Sequence, residues 1–270
     1  MALSTARFAG PVGARYNRRT VTRTIAVANQ KGGVAKTTTV AALAAALSEQ
    51  GRDVLAIDLD PQACLTYSLG LEPDQLETTV HDVLVGRCDM RDAIRSLDEE
   101  AFDLVPSSLD LAGAEAYLLT RMGREYALQK ALAGLDGAYQ LILVDCPPSL
   151  GVLTINALTA ADEVVIPLQC ETLSLRGVGQ MLSTIEDVRR PTNPELKVAG
   201  LLPTMFDGRT NHAREVLEDV ARYRLPVFEP PVRKSIRFAE APRGGRSIIR
   251  FAPSHPGAEA YRALAHAIAG

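Results

Sequence analysis

Two lysines bracket a pair of glycines near the start of the chain, in the run Asn29-Gln30-Lys31-Gly32-Gly33-Val34-Ala35-Lys36-Thr37-Thr38-Thr39. A β-rich apolar run precedes it and an Ala/Leu-rich stretch follows. Strand, glycine turn and helix in that order aim backbone N–H groups at an anion, and the helix N-terminus adds its positive end. Lys36 would then reach the β- and γ-phosphates of ATP and the Thr37 hydroxyl would hold Mg²⁺. Lys31, Gly32, Gly33, Val34, Ala35 and Thr38 complete the cradle. The standard G-x-x-x-x-G-K-[ST] spacing is not met, because Gln30 stands at its first glycine and Ala35 at its second. Alanine suits this turn if its φ is negative and is strained if φ is positive.

Carboxylates follow two further apolar runs. Asp58-Leu59-Asp60-Pro61-Gln62 closes the first, and Asp145-Cys146-Pro147-Pro148 closes the second. Carboxylates at alternate positions of a strand end share a face, and open α/β sheets bind ligands at those carboxyl ends. N-caps for the following turn are the alternative use of Asp58 and Asp60. Asp145 is suited to hold Mg²⁺ through water. Together these groups fit positioning and charge stabilisation for phosphoryl transfer to water. His81, His212, His255 and His266 are scattered, so no histidine cluster offers a competing chemistry.

The elements that must position these residues alternate along the chain. Strands are expected at 24–28, 54–57, 141–144, 163–167 and 198–202. Helices are expected at 37–50, 123–133, 152–160, 175–190, 211–223 and 256–269. Strand–helix alternation predicts an α/β fold: a doubly wound, mostly parallel sheet with helices on both faces. With 47% apolar residues but only 5% aromatic, the core must be built from Ala, Leu and Val. One ATPase domain over 23–270 is expected. It is preceded by a basic arm over 1–22 that carries Arg7, Arg15, Arg18 and Arg19 and no acidic residue. No apolar run reaches the roughly 18–20 residues of a membrane span, and the four cysteines contain no C-x-x-C pair. A cytoplasmic protein with reduced thiols is the expectation.

The K-G-G-x-x-K-T loop, with its extra lysine, and the D-x-D-P-Q run resemble the ParA/MinD group of deviant Walker P-loop ATPases. The resemblance runs nearly the whole length from Thr24. It includes Gln169-Cys170-Glu171-Thr172, the stretch from Pro203 to Thr210, and Val232-Arg233-Lys234-Ser235-Ile236-Arg237-Phe238-Ala239-Glu240-Ala241-Pro242. It implies that Lys31 reaches the nucleotide of a partner subunit in an ATP-dependent homodimer. It also implies that Asp60 orients the attacking water and that Asp58 belongs to the Mg²⁺ shell. A slow, Mg-dependent ATP hydrolase of ParA/Soj type follows, acting in chromosome or plasmid partitioning on the nucleoid with a ParB-like stimulating partner.

Net charge is −3, so any affinity for nucleic acid must be local. Arg233, Lys234, Arg237, Arg243, Arg246 and Arg250 crowd a stretch whose one acidic residue is Glu240, a pattern that suits phosphate backbones without base readout. By resemblance, Arg209 and Arg237 are the arginines that hold non-specific DNA. Relatives place a proline–arginine pair where this chain has Arg233-Lys234. Two other classes share the loop. A MinD-like membrane-surface ATPase needs a terminal amphipathic helix with bulky apolar residues, and the Ala-rich 256–269 stretch predicts no stable membrane association. An iron-protein-like electron carrier needs paired cysteines at a spacing that Cys146 and its fellows do not reproduce.

Overall fold

The computed structural model describes residues 21–135, 137–170, 174–208 and 223–270. Its apolar runs pair into one seven-stranded sheet of order β3-β4-β2-β5-β1-β6-β7. The strands are β1 Arg23–Val27, β2 Val54–Asp58, β3 Arg95–Leu97, β4 Phe102–Val105, β5 Leu141–Asp145, β6 Glu163–Gln169 and β7 Lys197–Thr204. All neighbours are parallel except the β3–β4 edge pair. Every residue of β2 and β5 is buried, as expected of strands covered on both faces.

Two apolar layers sit on the two faces. One joins Ile25, Val27 and Leu143 to Leu43 and Leu47 of α1 (Lys36–Glu49) and to Tyr261 and Leu264 of the last helix, α10 (Pro256–Ala269). The other joins Leu55, Ile57 and Ile142 to Leu153 of α6 (Val152–Ala160) and Met181 of α7 (Ser174–Arg189). Leu43 and Leu47 are fully buried, each worth about 1.5–3 kcal/mol relative to exposure, and they seat α1 so that its N-terminus faces the carboxyl end of β1.

Short elements fill the connections: α2 Cys64–Ser68, α3 Val80–Leu84, α4 Leu111–Leu119, α5 Ala127–Ala133, α8 Arg237–Glu240 and α9 Ile248–Phe251. The sequence reading named none of these but α5. Of the others, α2, α3, α8 and α9 are four or five residues long and carry little periodicity, while the nine-residue α4 was missed although it is as long as α6. The sequence reading also passed over β3 and β4, three and four residues long. The helix expected at 123–133 starts later: Gly123 is left-handed at φ 65, a 3₁₀ turn covers Arg124–Tyr126, and α5 begins after it. The helix expected at 211–223 lies outside the described residues except for Tyr223, which is in a turn. The same holds for the 1–22 arm, of which only Val21 and Thr22 are described.

Candidate phosphate site and adjoining basic segment

β1 ends inside the sheet, flanked by the central strand β5 and by β6, and the Lys31–Lys36 loop rises from it into α1. Asn29 sets the first bend. It is buried, its Oδ1 accepts the Lys31 N–H at 3.0 Å, and its Nδ2 donates to the Pro167 carbonyl of β6 at 2.7 Å. Gly177 of α7 lets that helix come close, since a Cβ there would stand 3.3 Å from Asn29 Oδ1. Gly33 and Ala35 are both left-handed, at φ 72 and φ 68. The positive-φ condition for Ala35 is therefore the one realised, and its methyl carries the strain that glycine would avoid, about 1–2 kcal/mol.

Parallel pairing of β2 with β5 sets Asp58 and Asp145 opposite each other, although 87 positions separate them in the chain. Both are fully buried. Asp58 Oδ2 accepts the backbone N–H of Thr66 at 2.8 Å and its hydroxyl at 2.7 Å, and Oδ1 accepts the Asp60 N–H at 3.2 Å. Burial pushes Asp58 up to about 6, opposed by the bonds from Thr66. Asp145 Oδ2 accepts the Thr37 hydroxyl at 2.7 Å, while Oδ1 is buried with no hydrogen-bond partner. Burial, then the neighbouring Asp58 charge, raises Asp145 well above the usual carboxylate range. Asp60 lies past the end of β2, half-exposed, where Oδ1 accepts the Gln62 N–H at 2.9 Å. Asp58 and Asp60 therefore also bond backbone N–H groups on the way into α2, but neither is its N-cap, which is Ala63.

Lys36 is buried with its ammonium 3.3 Å from the Lys31 carbonyl; burial lowers its pKa, and Asp145 is first among the charges opposing that shift. Cys146, next along the strand, is fully buried and its thiol is pushed up, first by burial and then by Asp145. Mg²⁺ usually takes one or two protein ligands and completes its shell with phosphates and waters. The unpartnered Asp145 Oδ1 and the Thr37 hydroxyl bonded to the same carboxylate fit that demand.

A cleft of about 340 Å³ opens beside Thr37 and Thr38 and is walled by Tyr67 of α2 and by Phe238, Pro242 and Arg246 of the basic segment. Phe238 also packs edge-on against Tyr261 of α10, whose buried hydroxyl meets Thr39 of α1 at 3.1 Å. Through these contacts the basic segment is built onto α1. The sequence reading missed Asn29, Thr39 and Tyr261. An Asn two residues before the loop lysine was the only local signal among them.

The basic residues divide into two sets. Arg233, Lys234 and Arg243 are exposed and form no ion pair among the described residues. Arg237 pairs with Glu240 at 2.9 Å and Arg246 with Glu99 at 2.8 Å. Arg250 turns inward: it stands 3.5 Å from Glu49 and donates to the Glu100 carbonyl at 3.2 Å. That narrows its expected place on a DNA-facing surface to one in the fold. Arg209 lies outside the described residues.

The AAA domain family matches residues 22–198. A solved structure from Mycobacterium smegmatis, described as cobyrinic acid a,c-diamide synthase with bound ADP and magnesium, is 56% identical, superposes with a TM-score of 0.83, and covers 92% of this chain and 94% of that one. The sporulation initiation inhibitor protein Soj of Bacillus subtilis is 45% identical, covering 91% of this chain and 97% of its own. The chromosome partitioning protein ParA of Myxococcus xanthus is 43% identical, covering 91% of this chain and 87% of its own. With 43–45% identity over 91% of its length, this chain belongs to the ParA/Soj family of partitioning ATPases.

Proposed function

We propose that the chain is an ATP-driven DNA-binding switch. ATP joins two subunits face to face, the paired basic segments hold duplex DNA without sequence preference, and hydrolysis releases both. Lys36 and the loop N–H groups bind the phosphates, Lys31 reaches the partner's nucleotide, and Asp60, the half-exposed carboxylate at the loop's edge, orients the attacking water. Asp145 and Thr37 hold Mg²⁺, with Asp58 behind them. Mg²⁺ supplies charge neutralisation on the transferring phosphoryl group. Turnover is slow until a ParB-like partner stimulates it.

The observation that carries this reading is the placement of Arg233, Lys234 and Arg243, exposed and without an ion pair among the described residues, on a segment that contacts α1 through Phe238 and Tyr261. Doubling such contacts in a dimer raises affinity steeply, because each phosphate neutralised adds to the counterion release. Stable attachment to a membrane surface is disfavoured, since Tyr261, Leu264 and Ile268 of α10 are spent on the core. Among the described residues no helix is long and apolar enough to cross a membrane.

Binding to non-specific duplex should therefore appear with ATP, be absent with ADP or no nucleotide, and fall steeply between low and moderate salt. ATP-dependent dimers without DNA affinity would overturn the DNA half of the proposal. The 56% identity to the M. smegmatis protein favours a second reading, synthesis of cobyrinic acid a,c-diamide. Product analysis with cobyrinic acid, ATP, Mg²⁺ and an amide-nitrogen donor (ammonium or glutamine) separates the two, because diamide formation would displace the switch.

A further inference from the structure

Thr204, the last residue of β7, is completely buried, and its hydroxyl donates to the Val34 carbonyl at 3.1 Å. The bond spans 170 positions of sequence and lands inside the phosphate loop. The Val34 carbonyl and the Ala35 N–H belong to one peptide plane. Rotating that plane changes ψ of Val34 and φ of Ala35 together and swings the two groups in opposite directions. With Ala35 at φ 68 and ψ 32, rotation toward negative φ would relieve its strain. It would also turn the Ala35 N–H out of the concavity that successive loop N–H groups form around an anion.

We propose that Thr204 is a positioning residue for the phosphate loop. Its hydroxyl locks the Val34–Ala35 peptide and holds Ala35 left-handed, ready for phosphate. A glycine at position 35 would rest there without help, so the lock matters because this chain has alanine. The role rests on the reading of the loop as a nucleotide site.

The test is a double-mutant cycle of Thr204→Val and Ala35→Gly, with Thr204→Ser as the variant that keeps the hydroxyl. Fluorescent ADP with Mg²⁺ reports affinity, and thermal unfolding without nucleotide reports stability. Without the lock, Ala35 relaxes and only a fraction of molecules bind competently, so apparent affinity falls by that fraction. Thr204→Val should weaken ADP about tenfold with alanine at position 35 but about twofold when combined with Ala35→Gly, while Thr204→Ser stays near wild type. Unfolding should show the opposite order. Thr204→Val lowers the melting temperature less with alanine at position 35, where the lost bond is partly offset by released strain, than in combination with Ala35→Gly. A purely structural threonine would weaken binding and stability in parallel. Equal ADP losses in both backgrounds, or an unchanged affinity in Thr204→Val, would overturn the proposal. A wild-type protein that binds no ADP would sink the functional reading, and the stability cycle would still judge the lock.

Discussion

The phosphate loop and the basic segment are both rich in charge, and the fold treats them in opposite ways. Around the loop, Lys36, Asp58 and Asp145 are withdrawn from water and held against one another, and their pKa values move accordingly. On the segment, Arg233, Lys234 and Arg243 remain in solvent. Charge interactions strengthen as the surroundings exclude water, so each buried group is decisive, whereas the surface cations act as a screened sum. One region holds its charges buried, where each neighbour matters singly; the other keeps its cations in water, where each adds only a screened increment.

The sharpest break comes from the buried side. Lys36→Ala removes the buried ammonium that the proposal sets on the phosphates and should abolish ATP binding in calorimetry. Asp60→Ala should leave ATP bound and the protein retained on DNA, with hydrolysis lost. Unimpaired hydrolysis by Asp60→Ala would show that this carboxylate does not orient the water.

A smaller effect should appear in stability without nucleotide. Asp58 is raised to about 6, and Asp145 and Glu100 are raised in the same direction, each mainly by burial. A raised carboxylate stabilises the fold fully below its unfolded pKa near 4 and loses that contribution as pH climbs through its folded value. For Asp58 the window is about pH 4 to 6, with up to about 3 kcal/mol at stake. The protein should melt higher at pH 5 than at pH 7.5, and Asp58→Asn should narrow the gap while Asp145 and Glu100 keep part of it. A gap unchanged in Asp58→Asn would place the titration elsewhere.

The mildest effects belong to the surface. Arg233→Ala, Lys234→Ala and Arg243→Ala should each weaken DNA binding severalfold and lower the slope of log affinity against log salt by about one. Arg250→Ala should leave that slope alone and lower the melting temperature instead, since its guanidinium is bonded to Glu49 and Glu100. A slope change in Arg250→Ala equal to those three would erase the division between the two sets.

Much of the fold was legible because periodicity and turn chemistry are local. The helices expected at 152–160 and 256–269 match α6 and α10. The five expected strands fall within two residues of β1, β2, β5, β6 and β7 at each end. The strand–turn–helix around Lys31–Lys36 was legible for the same reason, since its three parts are consecutive in the chain. The short strands β3 and β4 were not, because three or four residues hold too little pattern to mark a strand. Arg250 reads like its basic neighbours, and only the approach of Glu49 and the β3–β4 turn separates it from them.

By itself the sequence determined that a glycine turn opens onto a helix between two lysines, that carboxylates close two strands, and that cations gather near the end of the chain. It could not fix the sign of φ at Ala35, because an alanine accepts either sign at a cost of about 1–2 kcal/mol, and neighbours outside the loop decide which is held. Thr204, brought in by β7, holds the adjoining peptide. The opposition of Asp58 and Asp145 is likewise a product of parallel register between strands far apart in sequence. Those contacts exist only once the sheet has closed around β1, because burial between neighbouring strands is what gives each of these groups its partner and its shifted proton affinity.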